Sequence, residues 1–258
     1  MDRMKINVLY LGKISCKRDH LVRCEDESRM IQSPVNAILI RHPEIGNILY
    51  DTGNSPDYGQ EYPTPVLETY PISEFISIEE ALRLHDLAVN DIDMLILSHL
   101  HFDHAGGLCY FTGAKAIRNV IVSEDELKHA YFSVVTGKGG AYVKELFDIE
   151  GIRYVPYQSE LRLAEDILLF TQKSHTPGCT GMVLDTEEQG TVLVTSDTIY
   201  TEDSYKMELP PGGDINATTE EFYTNLEKIK KMQAETDAKL IYGHDLEQVL
   251  RLSKCTLY

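Results

Sequence analysis

The residues best able to do chemistry are crowded into His99-Leu100-His101-Phe102-Asp103-His104. Three imidazoles and a carboxylate this close together are costly to assemble unless a cation holds them. Neutral imidazole and carboxylate are first-choice ligands for zinc and its first-row neighbours. The hexapeptide follows an apolar run, Met94-Leu95-Ile96-Leu97-Ser98, and leads into Ala105-Gly106-Gly107. That run predicts a buried strand, which puts the ligands on the loop leaving its end, where α/β proteins build their sites. Three more residues stand in the same relation to a strand. His175 lies in the turn sequence Ser174-His175-Thr176-Pro177-Gly178, beyond a run ending at Phe170. Asp197 follows Val192-Leu193-Val194-Thr195-Ser196, and His244 follows the run from Leu240 to Tyr242. Four strand ends converging on one edge would bring seven side chains into one pocket.

Seven ligands exceed the about four that one zinc takes. They suit two ions roughly 3.5–4 Å apart that share a carboxylate and a water-derived hydroxide. His99, His101 and His175 are expected to hold one ion and Asp103, His104 and His244 the other, with Asp197 bridging. The chain has nine histidines. The remaining four, His20, His42, His85 and His129, lack strand-end context and are expected on the surface or in packing. Asp51-Thr52-Gly53, after the run from Asn47 to Tyr50, also fits an aspartic-protease turn. Such an enzyme needs a second Asp of the same kind, and Ser196-Asp197-Thr198 lacks the glycine. The protease reading leaves the histidines without a role, whereas beside metals Asp51 reads as an acceptor that orients a ligand histidine.

The elements that must position these residues are legible as short runs rich in β-branched residues. They span 6–11, 35–40, 47–50, 94–97, 120–122, 167–170, 182–184, 191–194 and 240–242. Between them, Ser77-Ile78-Glu79-Glu80 and Ser123-Glu124-Asp125-Glu126 read as helix starts with a capping serine and an acidic first turn. Thr218 to Ala234 carries Phe222, Leu226 and Ile229 at helical spacing, a stripe that faces a core. Asn54 to Glu74, rich in Pro, Tyr and Gly, is expected to be a long loop. Gly137-Lys138-Gly139-Gly140 lacks the spacing and preceding strand of a phosphate loop and reads as a plain loop.

The chain has 258 residues, 43% of them hydrophobic, enough for one large core. A formal charge of −17 without an offsetting basic run argues against nucleic acid and anionic membranes as partners. The N-terminus lacks an apolar signal core and no run is long enough to cross a bilayer, so a soluble, cytoplasmic protein is expected. Five cysteines, Cys16, Cys24, Cys109, Cys179 and Cys255, form no Cys-x-x-Cys pair. They are expected to be reduced, with Cys109 and Cys179 in packing roles.

His99-x-His101-x-Asp103-His104 followed by His175, Asp197 and His244 resembles the metallo-β-lactamase superfamily, over nearly the whole chain. The resemblance implies an α/β fold, a four-layered αβ/βα sandwich with a dinuclear site at one edge, formed by residues 1–258 as a single hydrolase domain. Asp51-Thr52-Gly53 is similar to that superfamily's early Asp-Thr-Gly turn. Glyoxalase II-type thioesterases usually carry a helical extension, whereas 14 residues follow His244. The RNA-processing members want a basic surface, and the diiron reductases a Glu at the position of His101 and a flavin domain. A non-catalytic metal-binding sensor would be expected to lack a ligand, and all seven positions are filled.

Three segments look like the N-acyl homoserine lactone lactonases, the quorum-quenching hydrolases: Ser98 to Gly107, His175-Thr176-Pro177-Gly178, and Gly243-His244-Asp245-Leu246-Glu247-Gln248. Tyr200, three residues after Asp197, stands where those lactonases carry a tyrosine that contacts the substrate carbonyl. The resemblance implies two divalent ions per chain, zinc foremost with manganese, iron and cobalt also accepted. It further implies opening of a lactone ring by a metal-bridging hydroxide, with the oxyanion leaning on a metal and Tyr200. Asp103 would pass a proton to the leaving oxygen, and Phe102 would contact the substrate. Cys109-Tyr110, Cys179 and the tract from Phe132 to Phe147 have no counterpart in that family, and the stretch from Cys16 to Met30 is polar and charged rather than an apolar groove. They leave other small-molecule lactones, esters or thioesters open, pyridoxolactone-like or glyoxalase II-like among them.

Overall fold

Along β2 (Met30–His42), Leu39 points to one side of its sheet and Ile38 and Ile40 to the other, and all three are buried. A strand apolar on both faces belongs to a sheet covered on both faces. The computed structural model describes residues 4–186, 190–212 and 219–254. Within them β2 is central in a seven-stranded sheet, with β1 (Lys5–Lys17), β3 (Gly46–Tyr50), β4 (Ile72–Phe75), β5 (Met94–Ile96), β6 (Val120–Ser123) and β7 (Tyr154–Tyr157). The order is β4-β1-β2-β3-β5-β6-β7, antiparallel from β4 to β3 and parallel from β3 to β7. A five-stranded sheet holds β8 (Glu160–Ala164), β9 (Ile167–Thr171), β10 (Thr180–Thr186), β11 (Gly190–Ser196) and β12 (Lys239–Tyr242) in the order β12-β11-β10-β9-β8.

The two sheets face each other. Ile38, Ile48, Ile96 and Ile121 of the first share a core with Leu169, Met182, Val192 and Ile241 of the second. On the outer face of the first sheet, Leu39, Leu49 and Leu95 cluster with Ile78 and Leu82 of α1 (Ile78–Arg83) and Ala130 of α2 (Glu124–Val135). On the outer face of the second, Leu193 and Leu240 meet Phe222, Leu226 and Ile229 of α3 (Thr219–Thr236). The result is the expected αβ/βα sandwich. The expected stripe thus packs as a core face; Thr218, where that helix was expected to begin, lies outside the described residues, as does Cys255. Among the described residues no helix is long and apolar enough to cross a membrane.

All nine apolar runs coincide with strands, with Leu97 one residue past the end of β5. The three strands without a matching run, β4, β7 and β8, lie at sheet edges and are partly exposed, so polar residues interrupt their pattern. The stretch from Asn54 to Glu74 is not a bare loop. It contains two helical turns, Tyr58–Glu61 and Thr64–Thr69, and runs into β4. Tyr62 pins it: its Oη accepts from the Ser55 N–H and lies 3.0 Å from both Asn54 Oδ1 and the Phe102 carbonyl.

Candidate metal centre

Every segment of the expected cluster follows the end of a strand, with Asp103 and His104 on the helical turn Phe102–Ala105. The chain turns out of β5 into Ser98 and His99, out of β9 toward His175, out of β11 into Asp197 and out of β12 into His244. Ser196, immediately before Asp197, has φ +47, and Asp51, just after β3, has φ +63. Left-handed backbone at non-glycine residues costs about 1–3 kcal/mol each and collects where a site needs a particular side-chain direction.

The donor atoms form two groups. His101 Nδ1 lies 3.1 Å from His99 Nε2 and 2.9 Å from His175 Nε2. Asp103 Oδ2 lies 3.6 Å from His104 Nε2 and 3.8 Å from His244 Nε2. Asp197 Oδ2 sits between the groups, 3.1 Å from His244 Nε2, 3.5 Å from His104 Nε2, 3.7 Å from His175 Nε2 and 3.8 Å from His99 Nε2. Each group of three offers ligand atoms that all lie within 4.8 Å of one another, and so do His99, His104 and Asp197.

These residues fit divalent ions. His104 Nε2 and Asp197 Oδ1 are buried with no hydrogen-bond partner, a state that costs roughly 1–3 kcal/mol per atom unless something meets them. Burial, reinforced by neighbouring imidazoles, holds His99 and His101 well below the ordinary imidazole value, and burial lowers His175 too. They are thereby kept neutral, the form that coordinates. Burial opposes ionisation of Asp197, yet His244 and His104 hold its carboxyl well below the usual range. Burial likewise opposes charge on His104, but Asp197, Asp103 and Asp51 outweigh it and push that imidazole well up. A cation in the site would replace the proton drawn there.

The sequence model of the metallo-beta-lactamase superfamily matches residues 30–244, most of the chain. The chain belongs to the metallo-β-lactamase superfamily. It is 29% identical over 276 residues to N-acyl homoserine lactonase AiiB of Rhizobium rhizogenes, covering 98% of this chain and 97% of that one. It is 30% identical to an N-acyl homoserine lactonase of a Bacillus species over 158 residues, 61% of this chain and 58% of the other. Among solved structures, an N-acyl homoserine lactone hydrolase with the product N-hexanoyl-L-homoserine at its catalytic metal centre superposes with a TM-score of 0.82. The match is 24% identical and covers 97% of each chain. AidC, a dizinc quorum-quenching lactonase, gives a TM-score of 0.68 at 16% identity, over 95% of this chain and 90% of that one.

In this metallo-β-lactamase superfamily chain, other groups aim the donors. Asp51 Oδ2 lies 2.9 Å from His104 Nδ1, and Asp51 Oδ1 accepts from the Ser98 N–H at 2.7 Å. Ser98 Oγ lies 2.8 Å from Asp51 Oδ2 and 3.0 Å from His99 Nδ1, so the carboxylate reaches a second histidine through a hydroxyl. The Pro34 carbonyl accepts from His244 Nδ1 at 2.8 Å. Tyr200 Oη lies 2.8 Å from His175 Nδ1, a partner the sequence did not suggest. Burial, then the Asp197 charge, drives the Tyr200 phenol well up, so it stays protonated.

A cavity of about 430 Å³ opens onto the cluster. Phe102 and Tyr200 line it, as does Tyr70, whose ring packs 6.0 Å from that of Phe102. His20 and His129, expected on the surface or in packing, line it too, together with Gly139 and Gly140. Nothing in their local sequence marks them: helix and loop packing brings them over the strand ends. His42 does pack, against Asp166, with its Nε2 3.1 Å from Asp166 Oδ1. Cys179 is fully buried, and burial pushes its thiol up to about 12. Cys109, partly buried, is pushed up to about 11 by the same cause.

Proposed function

We propose that this chain is a lactonase that opens N-acyl homoserine lactones, using two divalent ions, zinc foremost, held by His99, His101, His175 and by Asp103, His104, His244, with Asp197 reaching both. The chain is a hydrolase of the metallo-β-lactamase superfamily, and relatives that match it from end to end are named for this reaction. The observation that carries the reading is the place of Asp197 Oδ2, within 3.1–3.8 Å of imidazole nitrogens from both groups. When bound, such ions supply Lewis acidity and acidify water toward ~7, so hydroxide is available at neutral pH.

The protein's own groups do the rest. With Nε2 as ligand atom, the proton of neutral His175 sits on Nδ1 and donates to Tyr200 Oη. The phenol hydrogen of Tyr200 is then free to turn into the cavity and donate to the lactone carbonyl oxygen as negative charge grows there. Ring opening breaks the bond between acyl carbon and ring oxygen, and that oxygen needs a proton. Asp103, which lines the cavity, relays to it the proton given up by the attacking water. Phe102 supplies an apolar wall, and the leaving group stays tethered, so one hydroxy acid is released.

The test is pH-stat hydrolysis of a panel of N-acyl homoserine lactones and linear esters of matched acyl length, before and after chelation. Lactones should turn over faster than the esters, and the stripped protein should recover its rate when zinc, manganese or cobalt is returned. A preference for linear esters, or a rate unchanged by stripping, refutes the proposal.

A further inference from the structure

Two Ser-x-x-Glu sequences open helices in this chain, and they do different things. At the start of α1 the box closes on itself: Ser77 Oγ accepts from the Glu80 N–H, and Glu80 Oε2 accepts from the Ser77 N–H, both at 3.1 Å. At the start of α2, Ser123 Oγ accepts from the Glu126 N–H at 3.4 Å, but the Glu126 carboxylate turns inward and is fully buried. Burying a carboxylate without compensation costs several kcal/mol by order of magnitude, so its partners are the reason it is tolerated.

Glu126 Oε1 accepts from the Leu100 N–H at 3.0 Å and from the Tyr142 hydroxyl at 2.9 Å. Glu126 Oε2 accepts from the Thr176 hydroxyl at 2.5 Å. Gly178 packs so closely on the helix start that a Cβ there would meet the Glu126 nitrogen at 2.2 Å. Leu100 lies between His99 and His101, and Thr176 follows His175. The Tyr142 ring lies 4.4 Å from that of His101, and the two residues form an isolated β-bridge. One carboxylate therefore gathers the segments that deliver His99, His101 and His175. His104 and His244 are braced elsewhere, by Asp51 and by the Pro34 carbonyl.

We infer that Glu126 is a positioning residue dedicated to the three-histidine site, tying the His99–His101 turn, the His175 loop and Tyr142 into one rigid half of the centre. This rests on the two-ion reading, and the test separates the two. Cobalt is titrated, under chelator competition and with its visible absorption recorded, into the metal-free full chain. Wild type should fill two sites; filling only one overturns the two-ion reading by itself.

Glu126→Gln is then made in two backgrounds, each keeping one site. In His244→Ala, where the three-histidine site remains, Glu126→Gln should weaken cobalt about 10–100-fold, the usual cost of removing a ligand's supporting group, and alter the absorption band. In His99→Ala, where Asp103, His104 and His244 remain, affinity should stay within about threefold. Equal losses in both backgrounds, or none in His244→Ala, overturn the inference. If Glu126→Gln does not fold, judged by the metal-free thermal transition, Tyr142→Phe combined with Thr176→Val replaces it. That pair removes two of the donors and leaves the carboxylate held by the Leu100 N–H, and the same pattern is expected.

Discussion

Asp51→Asn is the most discriminating substitution the centre offers. Asp51 sits at φ +63, and asparagine tolerates that region better than nearly any residue but glycine, so the change adds little backbone strain. Its shape is also preserved. What changes is the hydrogen-bond arithmetic: Asp51 takes the Ser98 N–H on Oδ1, and presents Oδ2 to His104 Nδ1 and to Ser98 Oγ. Asparagine has one acceptor and one donor group. The Ser98 N–H can only donate, so the amide oxygen stays with it and the NH₂ turns to His104 Nδ1. That nitrogen must then accept, which moves the ring proton to Nε2, the atom needed for coordination.

The group built on His104 should therefore lose about 10–100-fold in metal affinity, or ~1.4–2.8 kcal/mol. The metal-free protein loses about one hydrogen bond, ~1 kcal/mol, so its thermal midpoint should fall by no more than about 4 °C. The assay is metal content after dialysis against a series of buffered free-zinc concentrations, paired with calorimetry of the stripped protein. Two tightly held ions at every concentration that loads wild type would refute the tautomer argument. A large fall in the stripped protein's midpoint would show instead that Asp51 acts on the fold.

Asp197→Asn should weaken both sites, at least tenfold each, because the lost charge lies within 3.8 Å of four imidazole nitrogens from both groups; full metal content and rate in that variant would contradict a bridging role. Tyr200→Phe should lower turnover about tenfold, less than the ~10²–10³ of a sole oxyanion donor since a metal shares that task. Because Tyr200 Oη also meets His175 Nδ1, the variant is assayed at saturating zinc. A Tyr200→Phe protein as fast as wild type on every lactone tried removes the phenol from the reaction.

The convergence of the seven candidate donors was legible because the segments that carry them follow strand ends, and strand ends are written in short apolar runs. Asp51 was legible for the same reason. Groups that act from a distance were not. The Ser-x-x-Glu patterns at 77–80 and 123–126 are indistinguishable as sequence, and only the packing of the 174–178 and 139–142 loops gives Glu126 inward donors to meet. His20, His129 and Tyr70 reach the cavity through tertiary contacts that carry no periodicity. The edge strands β4, β7 and β8 were hidden by the exposure that makes them edges. Tyr200 illustrates a partial reading: its position beside the centre follows from Asp197, but its bond to His175 depends on a loop from another strand.

The donors are unevenly divided between the sheets. His99, His101, Asp103 and His104 follow β5 of the first sheet, whereas His175, Asp197 and His244 all follow strands of the second. A chain emerging from the ribosome thus presents the contiguous four long before their companions exist. That early fragment can hold a passing ion only loosely, since neither group of three is complete without His175 or His244. With the proposed ligands, commitment to a metal would wait for the last strand and for the two sheets to close on each other. With those ligands metal capture would be a late event in biogenesis, and the ion would be chosen by the finished edge rather than by the first histidines made.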